Sequence, residues 1–388
     1  MSFLEYNVAR VPQGPQKLLA LNWALIVAIC AVVGIGLVTL YSVAGGDARW
    51  AEPQAQRFVL GLVAMVIVGM IPIWFWRNVS AVVYVGAMLL LVAVELVGVT
   101  GGGAQRWIDL GFMRLQPSEV MKIALVMMLA AYYDWLPLSR VSHPVFVAIP
   151  VAIICLPVLL VIQQPDLGTS ILLLAGGGAV MFLAGVHWAY FATVIAGAGA
   201  AVWAVLQSRG QSWQILQDYQ YRRIDTFLDP ESDPLGAGYH ITQSKIALGS
   251  GGVSGKGYLQ GTQARLNFLP EKHTDFIFTT LAEEFGLVGS VSLLGLYFVI
   301  IAVCVAAAMR MKDRFSALVT VGVAVTFFLF FAVNMSMVMG MAPVVGVPLP
   351  LVSYGGSAML VLMVGFGIVQ SAHVHRPRRG DEGRLIRR

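Results

Sequence analysis

The sequence predicts an all-α integral membrane protein, a ten-transmembrane-helix bundle with one long extracytoplasmic loop. Three observations predict it. Of 388 residues, 58% are hydrophobic and only 12% are charged, about half the charge of an ordinary soluble domain. So few charged groups cannot clothe a globule of this size in solvated surface. Apolar runs of about 20 residues, enough to cross a hydrocarbon core of about 30 Å, recur along the chain. These runs lack the period-two alternation of barrel strands. The same composition excludes a disordered chain, which needs low hydrophobicity and high charge. The 41 glycines have no period of three, which excludes collagen.

The spans fall at 21–43, 58–76, 79–98, 116–133, 145–162, 167–186, 188–206, 276–309, 316–340 and 353–373. An N-terminal cytoplasmic segment, 1–20, precedes them. Helices 1–7 occupy 21–206, a large outer loop 207–275, helices 8–10 residues 276–373, and a basic cytoplasmic tail 374–388. The first run exceeds the apolar core of a signal peptide, about 7–15 residues, and reads as a retained helix. Orientation follows from Lys and Arg in short loops. With the N-terminus inside, the inner segments hold thirteen basic residues, from Arg10 and Lys17 to the tail. The short outer loops hold four, Arg49, Arg57, Arg106 and Arg114. Both termini are therefore expected inside. Cys30, Cys155 and Cys304 lie in apolar runs without paired spacing and read as small hydrophobes.

The long outer segment opens with Trp213, Leu216, Tyr219, Ile224 and Phe227 near one helical face. This predicts either an interfacial amphipathic helix or a soluble helix capping the bundle. Asp229-Pro230-Glu231-Ser232-Asp233-Pro234 then breaks it. Gly249 to Gly261 is glycine-rich and contains Lys256, but it lacks the first glycine and the final Ser/Thr of a Walker A loop. Tight turns, or amides offered to an anion, are its two readings.

Ionisable groups near spans are costly and mark functional positions. Glu119 and Lys122 open the fourth span, just after Pro117 at its first turn. Three apart on one helical face, they form either a self-neutralising pair or a substrate contact. Before them stand Arg106, Trp107 and Arg114. They suit anchoring to the membrane interface, or recognition of a pyrophosphate and a sugar. Asp166 sits where a helix begins, as an N-cap or a polar contact. The densest cluster runs from Pro270 through His273, Thr274 and Asp275 to Glu283 and Glu284. Asp275 could cap the helix, as could Thr274, or act as a base with a pKa tuned at the membrane edge. His273 could shuttle protons or hold the rim by hydrogen bonds. Pro348 to Ser357, which includes Ser353, reads as irregular backbone, tolerated at membrane depth only when buried or lining a cavity.

Together these strings resemble the SEDS family (shape, elongation, division and sporulation). The motifs are Gln105-Arg106-Trp107, Gln116-Pro117-Ser118-Glu119, Gln164 to Thr169, Asp229 to His240, His273 to Phe278 and Pro348 to Ser357. The match runs from the first span to the last. Division-type members usually carry a lysine before the Pro-Leu-Pro turn. Pro343-Val344-Val345-Gly346 stands there instead, which favours the elongation type.

The resemblance implies a peptidoglycan glycosyltransferase that polymerises lipid II on the outer face of the bacterial inner membrane. It places Asp275 at the family's catalytic aspartate. It places Trp107, Arg114, Glu119 and Lys122 at positions tied to activity or to the cavity. Arg106, Asp166, Lys256, His273 and Ser353 complete the expected substrate-binding and cavity set. A divalent cation, Mg2+ or Mn2+, is compatible with release of a pyrophosphate, and the sequence names no metal ligands. Expected partners are a class B penicillin-binding protein, scaffold proteins of the elongation complex and lipid II, with no nucleic acid. Two other classes share the ten spans and buried charges: a lipid II flippase, and a non-catalytic scaffold whose basic tail docks partners or anionic lipid.

Overall fold

The computed structural model describes residues 14–101, 104–111, 114–211, 213–214, 221, 225–226, 228–229, 237–266 and 271–376. The amphipathic segment expected from 212 to 227, the proline break after Asp229 and most of the basic tail lie largely outside them.

The chain is mostly helical. After a short turn, α1 (Gln16–Leu19), come α2 (Trp23–Val43), α3 (Ala51–Met70) and α4 (Ile73–Val97). A small three-stranded antiparallel sheet follows: β1 (Val99–Gly101), β2 (Ala104–Asp109) and β3 (Arg114–Leu115). Then come α5 (Pro117–Trp135), α6 (Pro144–Gln163), α7 (Leu167–Leu183) and α8 (Trp188–Ser208). Between α8 and the next long helix lie α9 (Ala237–Ser250) and α10 (Thr262–Arg265). The chain returns through α11 (Ile277–Ala308), α12 (Arg314–Val338) and α13 (Gly356–Val374).

Eight of these helices are long and apolar enough to cross a membrane: α2, α3, α4, α6, α8, α11, α12 and α13. The other two expected spans are also helices. Within α5 stand Glu119, Lys122 and Asp134, and α7 is a shorter apolar helix of 17 residues. The boundaries moved most at α3, which starts at Ala51 rather than 58. Its first two turns carry Gln54 and Arg57, which the sequence had left in a loop. The sheet was not expected either: its strands are two to six residues long, too short to show an alternation.

Local signals set the helix ends. Asn22, Asp166 and Asp313 each accept an amide hydrogen bond from three residues on, at the starts of α2, α7 and α12. Pro117 and Pro144 occupy first turns, where no backbone donor is missed. Helix α5 sits in the middle of the bundle, buried along both its apolar length and its charged first turn. It packs against α4, α7 and α12. Helix α3 lies along α13 at close range: a Cβ on Gly61, Gly69 or Gly367 would meet Met363, Gln370 or Val68 within 3.0 Å. Small residues allow such approach in lipid, where packing rather than water expulsion joins helices.

Candidate functional site

The segment 271–276 is a turn leading into α11, and it carries His273, Thr274 and Asp275. Each of the three backbone carbonyls accepts a hydrogen bond from another part of the chain. Tyr354 N donates to His273 O at 2.9 Å. Ser353 Oγ donates to Thr274 O at 2.5 Å. Asn334 Nδ2, from α12, donates to Asp275 O at 2.8 Å. The Asp275 side chain is half-buried, and its Oδ2 comes within 3.5 Å of where a Cβ on Gly346 would stand. Burial, with a smaller contribution from the Glu271 charge, pushes its carboxyl up to about 7. It therefore sits near neutrality, where a carboxylate is a useful base.

His273 is half-buried. Its ring stacks on Trp50 at 4.3 Å between centroids, and Tyr354 meets Trp50 edge-on at 4.9 Å. The Arg57 guanidinium lies over the Tyr354 ring at 4.7 Å. Burial lowers the His273 pKa, so its imidazole is neutral at pH 7.

The chain between α12 and α13 forms one wall of a partly open cavity. Pro348, Pro350 and Ser353 line it opposite Glu119 and Lys122 of α5 and Phe330 of α12. The irregular backbone expected from Pro348 to Ser357 thus lines a cavity. Lys122 Nζ donates to Glu119 Oε1 at 2.7 Å and lies 3.7 Å above the Phe330 ring. Both charged residues are buried. The Ser353 hydroxyl also accepts from Leu349 N at 2.8 Å, so the cavity wall is one hydrogen bond from the backbone before Asp275. Gln54 holds the same wall from α3, donating to Ser353 O at 2.9 Å and accepting from Gly355 N at 3.3 Å.

Arg106, Trp107 and Arg114 lie on the sheet. Arg106 is engaged with the α6–α7 turn: Nε donates to Gln164 O at 3.0 Å, and Nη2 donates to Pro165 O. Its Nη1 stands 4.0 Å from Asp166 Oδ2. Trp107 pairs with Val99 across β1 and β2. Arg114 is exposed and lies 3.9 Å from Asp109. Asp166 caps α7, accepting from Thr169 N and Thr169 Oγ1, and it also accepts from Gln116 Nε2 at 3.2 Å.

Lys256 is turned to the protein. Its Nζ donates to Glu283 Oε1 at 2.6 Å and to Thr262 Oγ1 at 2.9 Å. The amides of the glycine-rich loop go the same way: Lys256 N donates to Glu283 O and Gly257 N to Glu284 O. Of the two readings of that loop, its amides answer to backbone carbonyls.

Gln54, Trp50 and Asn334 were missed by the sequence. Gln54 and Trp50 fell in a presumed loop. Asn334 had one signal, being the only amide side chain in a span free of charged residues.

A family model described as Cell cycle protein, covering FtsW, RodA and SpoVE, matches residues 16–378. The chain belongs to the FtsW/RodA/SpoVE family. Within that family, the peptidoglycan glycosyltransferase MrdB of Escherichia coli K12 is 46% identical over 359 residues, covering 92% of this chain and 94% of that protein. A probable peptidoglycan glycosyltransferase FtsW from E. coli O6:H1 is 35% identical, covering 86% and 80%. The chain is thus nearer to the RodA side of the family than to that FtsW. Among solved structures, a chain of a peptidoglycan synthase complex that coordinates polymerization and crosslinking superposes with a TM-score of 0.79 at 31% identity, covering 92% of this chain and 98% of that one. The rod shape determining protein RodA of Thermus thermophilus gives 0.69 at 28%, covering 93% and 99%. The chain is a multi-pass membrane protein with the RodA fold.

Proposed function

We propose that this chain is a peptidoglycan glycosyltransferase of the rod-shape elongation machinery, a lipid II polymerase. The observation that carries the mechanism is Asp275, a carboxyl poised near neutrality on a turn whose carbonyls at 273–275 are all held, one of them by Ser353 of the cavity lining. The donor is a growing glycan whose MurNAc anomeric carbon bears undecaprenyl pyrophosphate. The acceptor is the GlcNAc 4-hydroxyl of lipid II. Asp275 takes the proton from that hydroxyl as its oxygen attacks the anomeric carbon. The bond to the pyrophosphate oxygen breaks, and undecaprenyl pyrophosphate leaves with the electron pair. Direct displacement inverts the anomeric carbon.

The leaving group's charge needs a cation in a site of low dielectric. Lys122, already balanced by Glu119, sets the charge inside the cavity, while Arg106 and Arg114 stand on the outer sheet. Among the described residues no three His, Cys, Asp or Glu side chains converge where Mg2+ or Mn2+ would bind.

In this reading α5 and α7 cross the membrane with the other eight, giving ten spans with both termini cytoplasmic. The membrane is the bacterial inner membrane, and 207–275 is periplasmic, as is the active side. A class B penicillin-binding protein is the partner, in keeping with the similarity to a synthase complex, and scaffold proteins complete the assembly. Purified protein with that partner, supplied with lipid II in detergent, should yield glycan polymer. Translocation has no meaning there, so a flippase or a scaffold would produce none.

A further inference from the structure

We infer that Asn334 is a positioning residue for Asp275, holding the backbone of the proposed base to the cavity wall. The inference rests on the lipid II polymerase reading above. Asn334 is fully buried in α12. Its amide nitrogen has two protons, and each meets a carbonyl: Asp275 O at 2.8 Å and Val347 O at 2.7 Å. One side chain therefore ties together three segments, α12, the turn into α11 and the loop before the Pro-Leu-Pro run. Val347 is one residue from Gly346, where the chain takes a left-handed φ of 67° and passes the Asp275 carboxylate. The Asn334 bridge thus fixes the distance between Asp275 and the backbone that faces it.

No other described contact does this at Asp275. Tyr354 and Ser353 hold the carbonyls of His273 and Thr274, from the far end of the same loop. Asn334 alone holds the carbonyl of Asp275 itself, from a helix rather than from the loop. The Asn334 Oδ1 is buried without a hydrogen-bond partner among the described residues. A polar group left unmatched in a core is costly, and a Leu of similar size would remove that cost. The two donors, both used, are what an amide supplies here and a Leu does not. Reaction rates are steep in geometry: a misplacement of about 1 Å can cost about 100-fold.

The test compares wild type, Asn334→Leu, Asn334→Asp and Asp275→Asn, each in the full complex with its transpeptidase partner, by polymerisation of lipid II across pH. Leu keeps the volume and removes both donors. Asp keeps the shape and, when ionised, replaces the donors by acceptors. The expected result is a fall in kcat of about 10- to 100-fold in both Asn334 variants, with KM within about twofold. The acid limb of kcat should move as well, because the environment of Asp275 has changed. In Asn334→Leu the charge that acts on Asp275, that of Glu271, is untouched, so a moved limb there reports position, whereas in Asn334→Asp the new carboxylate also moves the limb by its charge. A variant that only lowers the amount of folded enzyme scales the profile without moving it, and that outcome overturns the inference. So does a wild-type kcat in Asn334→Leu. If Asn334→Leu fails to fold, the split in Asn334→Asp decides: a fall in kcat with KM unchanged upholds the inference, and a wild-type kcat overturns it. Wild-type polymerisation by Asp275→Asn would instead overturn the base assignment, whatever Asn334 does.

Discussion

At the residue scale, the chemistry turns on one carboxyl. Burial raises the Asp275 pKa to about 7 from the ordinary carboxylate value near 4. A base must be ionised, so polymerisation should rise with pH through about 7, measured as kcat/KM on lipid II. Stability runs the opposite way. Between about pH 4 and 7 the folded protein holds a proton that the unfolded chain has released, so this group's contribution falls as pH rises through that window. The Glu119–Lys122 pair makes a second prediction. Removing one partner leaves a buried charge alone, at a cost of about 3–5 kcal/mol. Glu119→Gln should therefore lower the melting temperature in detergent, and Glu119→Gln with Lys122→Met should recover it. Polymerisation by the recovered double variant would mark the pair as structural, and its loss would mark a substrate contact. The sequence made Glu119, Lys122 and Asp275 legible because charge beside an apolar run is conspicuous. It could not show that Ser353 and Asn334 spend their donors on the backbone around Asp275, since those bonds join residues 79 and 59 positions apart.

At the scale of elements, α11 is one helix in name and two in geometry. At Gly286 the backbone turns to φ 61° and ψ −156°, and the glycine-rich loop docks into the break. Lys256 N and Gly257 N bond to the carbonyls of Glu283 and Glu284, while Leu287 N and Val288 N bond to Gly252 O and Val253 O. The carbonyls and amides released by the break are thus satisfied by the loop, as membrane-depth backbone requires. The Glu283 side chain accepts from Lys256, Thr262 and Gln263. The loop therefore clamps the part of α11 that follows Asp275. A Cβ on Gly255 would stand 2.0 Å from Glu284 O, at a φ of 79°. Gly255→Ala should cost at least about 1–2 kcal/mol from its left-handed backbone alone, read as a lower melting temperature, with the clash adding to it. The sequence offered glycines and a lysine but no hint of a break, because the apolar run continues unbroken in composition from 285 to 309. Helix lengths were legible from hydropathy. The start of α3 was not, because Gln54 and Arg57 look like loop residues until Ser353, Gly355 and Tyr354 are folded against them.

At the scale of the whole molecule, the bundle separates two kinds of polar contact. At one end of the bundle, the proposed cytoplasmic one, Arg77 pairs with Asp134, and Arg314 donates to the carbonyls of Leu136 and Ala184. Near the proposed outer face, the loop before α13 joins α3, α12 and the turn into α11 around the cavity. This arrangement predicts a sidedness that labelling can read. With the three native cysteines replaced, His143→Cys should react with an impermeant thiol reagent only from the cytoplasm, and Ser254→Cys only from the opposite side. Both residues are exposed. The reverse pattern would invert the topology and place Asp275 on the wrong side for lipid II. The central claim concerns that aspartate. Its most direct test is glycan polymer formed from lipid II by the purified complex with Asp275→Asn beside wild type: polymer from wild type and none from the variant is the predicted result, and polymer at the wild-type rate from Asp275→Asn would contradict the account.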